Sequence, residues 1–336
     1  MNPHDKVVGL VELAKIASVS PSTVSRALSD DPRVAPHTRE RILALATQHR
    51  FRLNQTASAL RKKRTQAIGV VIPLGHEADQ TLSDPFFMGL LGPLADALSA
   101  RGYDLLLSRV IPRDDRWLQD LVVSGRVDGV IIVGQSDQTE VIEQVASRYA
   151  PLVVWGAHIS GHSQISVGTD NVVGGRLAAE HLIAAGRRQL AFVGNPGVPE
   201  FAARLVGFRQ AIAAAPDAVT ETLVPVHLTT AVAYHEIAAF LTRHPPLDGI
   251  FAASDVIAMG AMQALAERGL SVPGDVAVVG YDDVFVARHT TPPLTTVRQD
   301  VGAGATMLVD ILLRRLAGDM ACSVQMVPQL IVRGSA

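Results

Sequence analysis

Ser20, Pro21, Ser22, Thr23, Ser25 and Arg26 lie within seven consecutive positions and would give a short helix one small, polar face with a single guanidinium. Hydroxyl and guanidinium groups at that spacing do recognition chemistry: they donate to base-edge acceptors and to phosphate oxygens in a major groove. Catalytic patterns are missing by contrast. The sequence holds no Gly-Lys-Ser/Thr phosphate loop and no His-Glu-x-x-His pair. His158 and His162 flank a predicted loop with no acidic or cysteine partner near them in sequence, which fits solvated side chains better than metal ligands. Gly194-Asn195-Pro196-Gly197 follows a predicted strand but lacks the Gly-x-Gly-x-x-Gly spacing of a dinucleotide turn. No enzymatic activity, cofactor or metal is expected.

The polar face needs elements to present it. Leu10, Leu13, Ala14 and Ala17 recur at helical spacing, and Ser18, Val19 and Ser20 form a tight corner after them. Ser20 is a good N-cap and Pro21 sits at the first helical position, where a missing N–H costs nothing. Val24, Ala27 and Leu28 then point back at the first helix. This is a helix-turn-helix pattern, and its bland counterpart is an ordinary helical hairpin with a solvated face. Charge separates the two. Up to Arg64 there are twelve Lys and Arg against five Asp and Glu, whereas the remaining residues hold eighteen against twenty-seven. The total of −2 therefore hides a basic head on an acidic body, as expected for a nucleic-acid-binding module joined to something else. Pro36 to His49 reads as a third helix, with Ile42, Leu45 and Ala46 inward, Arg39 and Arg41 available for phosphates, and Phe51 closing the core. Asn54 to Arg61, followed by Lys62, Lys63 and Arg64, reads as a helix too short to be stable alone, or as a plain linker.

At 336 residues, 48% of them hydrophobic, the chain has room for more than one domain and a large buried core. A single cysteine, Cys322, excludes a disulfide framework and fits a reducing compartment. The first ten residues include Asp5 and no apolar leader, and no apolar run approaches a membrane span, so a soluble cytoplasmic protein is predicted.

From Leu10 to Pro73 the chain resembles the LacI/GalR family of bacterial transcription regulators. The resemblance rests on Val19-Ser20, Thr23-Val24-Ser25-Arg26, Val34, Thr38-Arg39-Glu40, Asn54, Ala57, Leu60 and Ile68-Gly69-Val70-Val71. It implies an all-α helix-turn-helix domain over 1–52 and a hinge helix over 53–65 that folds on operator DNA. Leu60 would wedge into the central base step of the minor groove with Ala57 beside it; Asn54 caps that hinge. Apolar wedges of this kind kink flexible pyrimidine–purine steps. Two positions depart from the family pattern. Ser18 replaces a corner glycine and Ala35 replaces a capping serine, each at a cost of roughly 1 kcal/mol.

Beyond residue 66, short apolar runs alternate with amphipathic helical stretches. The runs are Ala67–Ile72, Asp104–Leu107, Gly129–Val133, Leu152–Trp155, Leu190–Val193, Gly249–Ala252 and Val276–Val279. This alternation predicts α/β architecture with doubly wound parallel sheets, whose ligands sit at the carboxyl ends of strands. The resemblance extends here to a two-lobed periplasmic-binding-protein type I domain over 66–336. Its first lobe runs from Ala67 to about Gly161 and its second from Ile165 to about Thr290, with a crossover near Thr295–Val301.

By the same resemblance, the effector-binding residues are Phe86, Phe87, Trp155, Arg204, Ser254, Asp255, Asp282 and Gln299. Phe86 and Phe87 follow Asp84-Pro85 and offer a ring for stacking, although one of the two belongs to the core. Arg204 offers directed paired donors to hydroxyls or carboxylates. Asp282 matches a hydroxyl acceptor, and Asp255 either contacts the ligand or only caps its helix. Where many sugar-binding relatives carry an Asp-Arg pair, this chain has Trp155-Gly156-Ala157, so Trp155 is either a stacking face or core. The function implied is a sequence-specific, ligand-responsive repressor of carbohydrate-utilisation genes. It would bind double-stranded operator DNA as a homodimer, be released by a small sugar, and have no membrane partner. Alternatives are a regulator dependent on a corepressor or partner protein, an NAD-dependent sugar oxidoreductase, and a secreted sugar-binding protein. The absence of a leucine heptad tail predicts no tetramer.

Overall fold

The computed structural model describes residues 9–49, 51, 64–74, 81–243 and 247–336. The chain divides into two compact units, Met1–Thr65 and Gln66–Ala336. In the first, helices α1 (Leu10–Ile16), α2 (Pro21–Leu28) and α3 (Pro36–Gln48) surround one small core. Leu13, Ala14, Ala17, Val24, Ala27, Val34, Ile42 and Ala46 fill it, with Phe51 packed against them. None of these helices is long enough to persist alone in water, so this core holds all three. The corner is tight because Ser18 takes a left-handed backbone, φ 51°, the conformation a glycine adopts without strain. Ala35 sits at the N-cap of α3 and makes no side-chain cap bond. The hinge residues Asn54, Ala57 and Leu60 lie outside the described residues.

The second unit carries two six-stranded sheets. The first joins β1 (Ala67–Pro73), β2 (Asp104–Val110), β3 (Gly129–Val133), β4 (Leu152–Trp155), β5 (Ile165–Thr169) and β11 (Val324–Met326) in the order β11-β5-β4-β3-β1-β2. All of its pairings are parallel. The second joins β6 (Gln189–Val193), β7 (Thr220–Val224), β8 (Gly249–Ala252), β9 (Ala277–Asp282), β10 (Thr295–Arg298) and β12 (Gln329–Ile331) in the order β12-β10-β9-β8-β6-β7. Only β12 runs antiparallel in this sheet. Central strands are buried along their length, as helices on both faces require.

Helices α4 (Pro85–Ser99), α5 (Trp117–Val123), α6 (Thr139–Ala146) and α11 (Val301–Leu316) pack their apolar faces on the first sheet. Helices α7 (Asn171–Ala184), α8 (Pro199–Ala214), α9 (Thr230–Arg243) and α10 (Asp255–Glu267) do so on the second. Helices α7 and α8 come unusually close. A Cβ added at Gly207 would stand 1.8 Å from the Val172 carbonyl oxygen, and one at Gly175 would stand 1.9 Å from that of Arg204.

One boundary differs from the expectation. The strand beginning at Ile165 belongs to the first sheet, not the second lobe, because β5 hydrogen-bonds between β4 and β11. The chain passes between the lobes three times: after β5, after β10 and between β11 and β12.

Candidate functional site

In the first unit, Ser20 caps α2 by accepting from the Thr23 amide at 3.2 Å, and its hydroxyl lies 2.8 Å from that of Ser22 and 2.9 Å from that of Thr23. Ser20, Pro21, Ser22 and Arg26 are exposed, Thr23 and Ser25 half-buried, while Val24 and Ala27 face the core. The small polar face of α2 is therefore presented outward as a unit. Arg39 is placed differently from the expectation of a free phosphate contact. Its guanidinium donates to the Asp31 carbonyl at 2.8 Å and pairs with Asp30 at 2.9 Å, so it ties down the loop between α2 and α3. Arg41 likewise donates to the Ala17 carbonyl at 2.9 Å and braces the end of α1.

In the second unit, a cleft between the lobes is lined from the first lobe by Asp84, Phe86, Phe87 and Trp155 and from the second by Glu200, Arg204, Ser254, Asp282 and Gln299. These positions lie at the carboxyl ends of strands or at the starts of the helices that follow them, the expected place in an open α/β sheet. Phe86 stands 6.0 Å from Phe87 and 6.1 Å from Trp155, ring centre to ring centre, giving the first lobe an aromatic wall. Phe87 and Trp155 are also buried in the first-lobe core, so each serves both purposes.

The second lobe supplies directed polar groups. Arg204 is fixed by donating Nε to Asn171 at 2.8 Å and a terminal nitrogen to the Ala253 carbonyl, with its guanidinium 3.6 Å from the centre of the Tyr281 ring. Its other terminal nitrogen lies 3.9 Å from Asp282, whose carboxylate accepts from the Gln299 side chain at 2.7 Å. Burial pushes the Asp282 carboxyl up to about 7, with Arg204 opposing the shift. Asp282 and Asp283 occupy consecutive left-handed backbone positions, φ 115° and 54°. This strained corner is held by Arg298 and Arg333, both paired with the Asp283 carboxylate.

Ser254 caps α10 by accepting from the Ile257 amide at 3.3 Å, and it lines the cleft. Asp255 does neither. It is fully buried, accepts from the Thr296 hydroxyl at 2.5 Å and the Val284 amide at 2.9 Å, and so pins β10 and the segment after β9 to α10. Burial raises its carboxyl well above the usual range, helped by the neighbouring Asp282. Among the cleft residues the sequence pattern missed are two polar ones beside Arg204, Glu200 and Asn171. Asn171 follows the cap Asp170 at the start of α7, and Glu200 opens α8 one turn before Arg204, a helical spacing from which its side could have been found. Among the described residues no group of three or more His, Cys, Asp or Glu is placed to hold a metal, and no helix is long and apolar enough to cross a membrane.

A helix-turn-helix unit with an outward polar face, joined in one chain to a two-lobed α/β unit with a ligand-sized cleft, defines a ligand-binding transcriptional regulator. Residues 10–54 match the profile of bacterial regulatory proteins of the lacI family, and residues 179–336 that of a periplasmic binding protein-like domain. The HTH-type transcriptional regulator CelR of Thermobifida fusca is 31% identical over 331 residues, 96% of each chain. The ribose operon repressor of Halalkalibacterium halodurans is 32% identical over 305 residues, 89% of this chain and 88% of its own. The lac repressor dimer bound to operator and the anti-inducer ONPF superposes with a TM-score of 0.85 at 25% identity, covering 98% of this chain and 99% of that one. The CelR–cellobiose complex gives 0.72 at 29% identity, with the same coverage. The chain belongs to the lacI family of bacterial regulatory proteins and is a DNA-binding transcriptional regulator.

Proposed function

We propose that this regulator is a cytoplasmic repressor of carbohydrate-utilisation genes that binds a two-fold operator as a homodimer and is released by a small sugar in the interlobe cleft. The observation that carries the ligand class is the pairing of an aromatic wall with fixed polar groups. Phe86, Phe87 and Trp155 offer rings to the apolar face of a pyranose, and Arg204, Asp282 and Gln299 offer hydroxyl partners. The similarity to CelR in complex with cellobiose and to a LacI family regulator of Enterococcus faecium with bound ribose supports the same reading. On the DNA side, Ser20, Pro21, Ser22, Thr23, Ser25 and Arg26 read or approach the major groove, and Asn54, Ala57 and Leu60 form the hinge contact in the minor groove. Nothing in this mechanism is catalytic. Effector binding changes the relative stability of two states of the body, and those states differ in operator affinity, which is a coupling free energy between two sites.

A thermal-shift screen of the full-length protein against a sugar panel tests the ligand class. A true effector at a hundred times its Kd stabilises by about 2.7 kcal/mol. Arg204→Ala and Gln299→Ala are expected to lose that shift while the protein still binds operator in a mobility-shift titration. A panel without any stabilising sugar would refute the reading.

A further inference from the structure

One carboxyl in the cleft is left unsatisfied by the chain itself. Glu200 is the second residue of α8, and its Oε2 is shielded from solvent with no hydrogen-bond partner. Its Oε1 accepts from the Gln135 amide at 3.4 Å, and the amides of Glu200 itself and Ala157 also face the carboxyl, so the unmet capacity lies at Oε2. The Gln135 side chain cannot help, because it is spent on Ala157 in both directions. Its Nε2 donates to the Ala157 carbonyl at 3.0 Å, and its Oε1 accepts from the Ala157 amide at 2.9 Å.

The surroundings keep that carboxyl clear of other side chains. The facing residue is Gly156, where an added Cβ would stand 2.8 Å from Gln135 Oε1 and 2.9 Å from Glu200 Oε1. A side chain at 156 and a carboxyl at 200 therefore compete for the same space, and this chain has chosen the carboxyl. A buried polar atom without a partner costs free energy, and in a ligand cleft the partner it lacks is a group on the ligand.

Charge identifies the partner. Among the described residues, Asp84, Glu200 and Asp282 line the cleft against one cation, Arg204, two of whose nitrogens are already committed to Asn171 and Ala253. Asp84 accepts from the Phe86 amide at 2.9 Å and Asp282 from Gln299 at 2.7 Å, whereas Oε2 of Glu200 is, of these three carboxylates, the solvent-shielded oxygen with no partner. A hydroxyl would fill the lone pair of Oε2. A protonated amine would fill it and also favour the charged form that burial disfavours, through a charge-assisted bond about twice as strong as a neutral one.

We propose that Glu200 is a specificity-determining residue of the effector cleft, its shielded Oε2 accepting from a protonated amine on the ligand, so that the regulator selects an amino sugar over the neutral sugar of the same skeleton. This inference rests on the reading of the cleft as a sugar-effector site. Full-length protein is titrated calorimetrically with matched pairs: D-glucose and D-glucosamine, D-galactose and D-galactosamine, D-mannose and D-mannosamine, and cellobiose with its diamino counterpart. At least one amino sugar should bind tenfold or more tighter than its neutral partner. Glu200→Gln, which keeps the shape and removes the charge, should bring that pair within twofold of each other. If a neutral sugar binds as well as its amino partner, the role of Glu200 falls while the sugar-effector reading stands. An amine preference that survives in Glu200→Gln also overturns it, by placing the determinant elsewhere. Binding by neither class overturns both readings.

Discussion

Asp282 illustrates how burying a single carboxyl in the cleft couples folding to proton binding. Its folded value lies near 7 against an ordinary value of 3.8, so the folded state binds a proton that the unfolded state has already lost across that window. The stability it contributes is complete below pH 3.8, declines as the pH rises, and is gone above about 7. Burial shifts Asp255 and Glu200 in the same direction, so they add to the trend. The body is therefore expected to melt at a higher temperature at pH 6 than at pH 8, and Asp282→Asn should flatten that dependence; calorimetry at the two pH values checks it. In the head, Ser18→Gly is expected to stabilise by about 1 kcal/mol, because only the wild-type serine carries the steric cost of a left-handed backbone. Hydrogen exchange of α1 and α2 amides in the full chain would read the gain, and slower exchange only elsewhere would refute it. At this scale the sequence revealed residue types better than residue duties. That Arg204, Asp282 and Gln299 stand in the cleft was legible because chemistry and position along the chain agree. The backbone-holding contacts of Asp255 and Arg39 were not, because a charged side chain next to a functional one can as easily be turned to hold backbone, and only the fold decides which way it points.

Between helices, the information lies in what is small. Helices α7 and α8 meet through glycines, and α8 carries Glu200, Arg204 and the close-packed Gly207 on successive turns. Gly207→Ala would drive a methyl group into the Val172 carbonyl, which is backbone and cannot swing aside. The two helices must then separate, at a cost of about 1–3 kcal/mol or more. Because Arg204 sits on the displaced face, the variant should also weaken effector binding. A variant that melts lower yet binds effector with unchanged affinity would show that the crossing does not position the site. Element existence was largely readable from apolar runs, since central strands such as β3 and β8 are buried on both faces. The edge strand β7, Thr-Glu-Thr-Leu-Val, escaped because only its final valine is buried and the rest carries no continuous run. The assignment of β5 to the second lobe failed for a different reason. Strand pairing partners far apart in sequence, here β11 with β5, leave no local trace.

For the molecule as a whole, the separation of charge between head and body sets the expected behaviour on DNA. The basic first 64 residues are expected to supply the phosphate contacts, and two heads of a dimer would double them. Operator affinity should fall by roughly 10³–10⁵ between 50 and 200 mM salt if about 6–10 phosphates are neutralised. A nearly salt-independent affinity in mobility-shift titrations would refute the assignment of the head as the DNA-binding unit. Light scattering should return a mass near twice 35.7 kDa, since a two-fold operator calls for a two-fold protein.

The three passages of the chain between the lobes also govern how the protein can be made. The first sheet waits for β11 at Val324–Met326, and its core waits for Leu308, Val309 and Leu312 of α11. The second sheet waits for β12 at Gln329–Ile331. Neither lobe is encoded by one continuous stretch, so neither can close until almost the whole polypeptide has left the ribosome. Nascent chains arrested before residue 300 should thus remain open to protease throughout the body, and those arrested well past the last strand should become resistant in a single step.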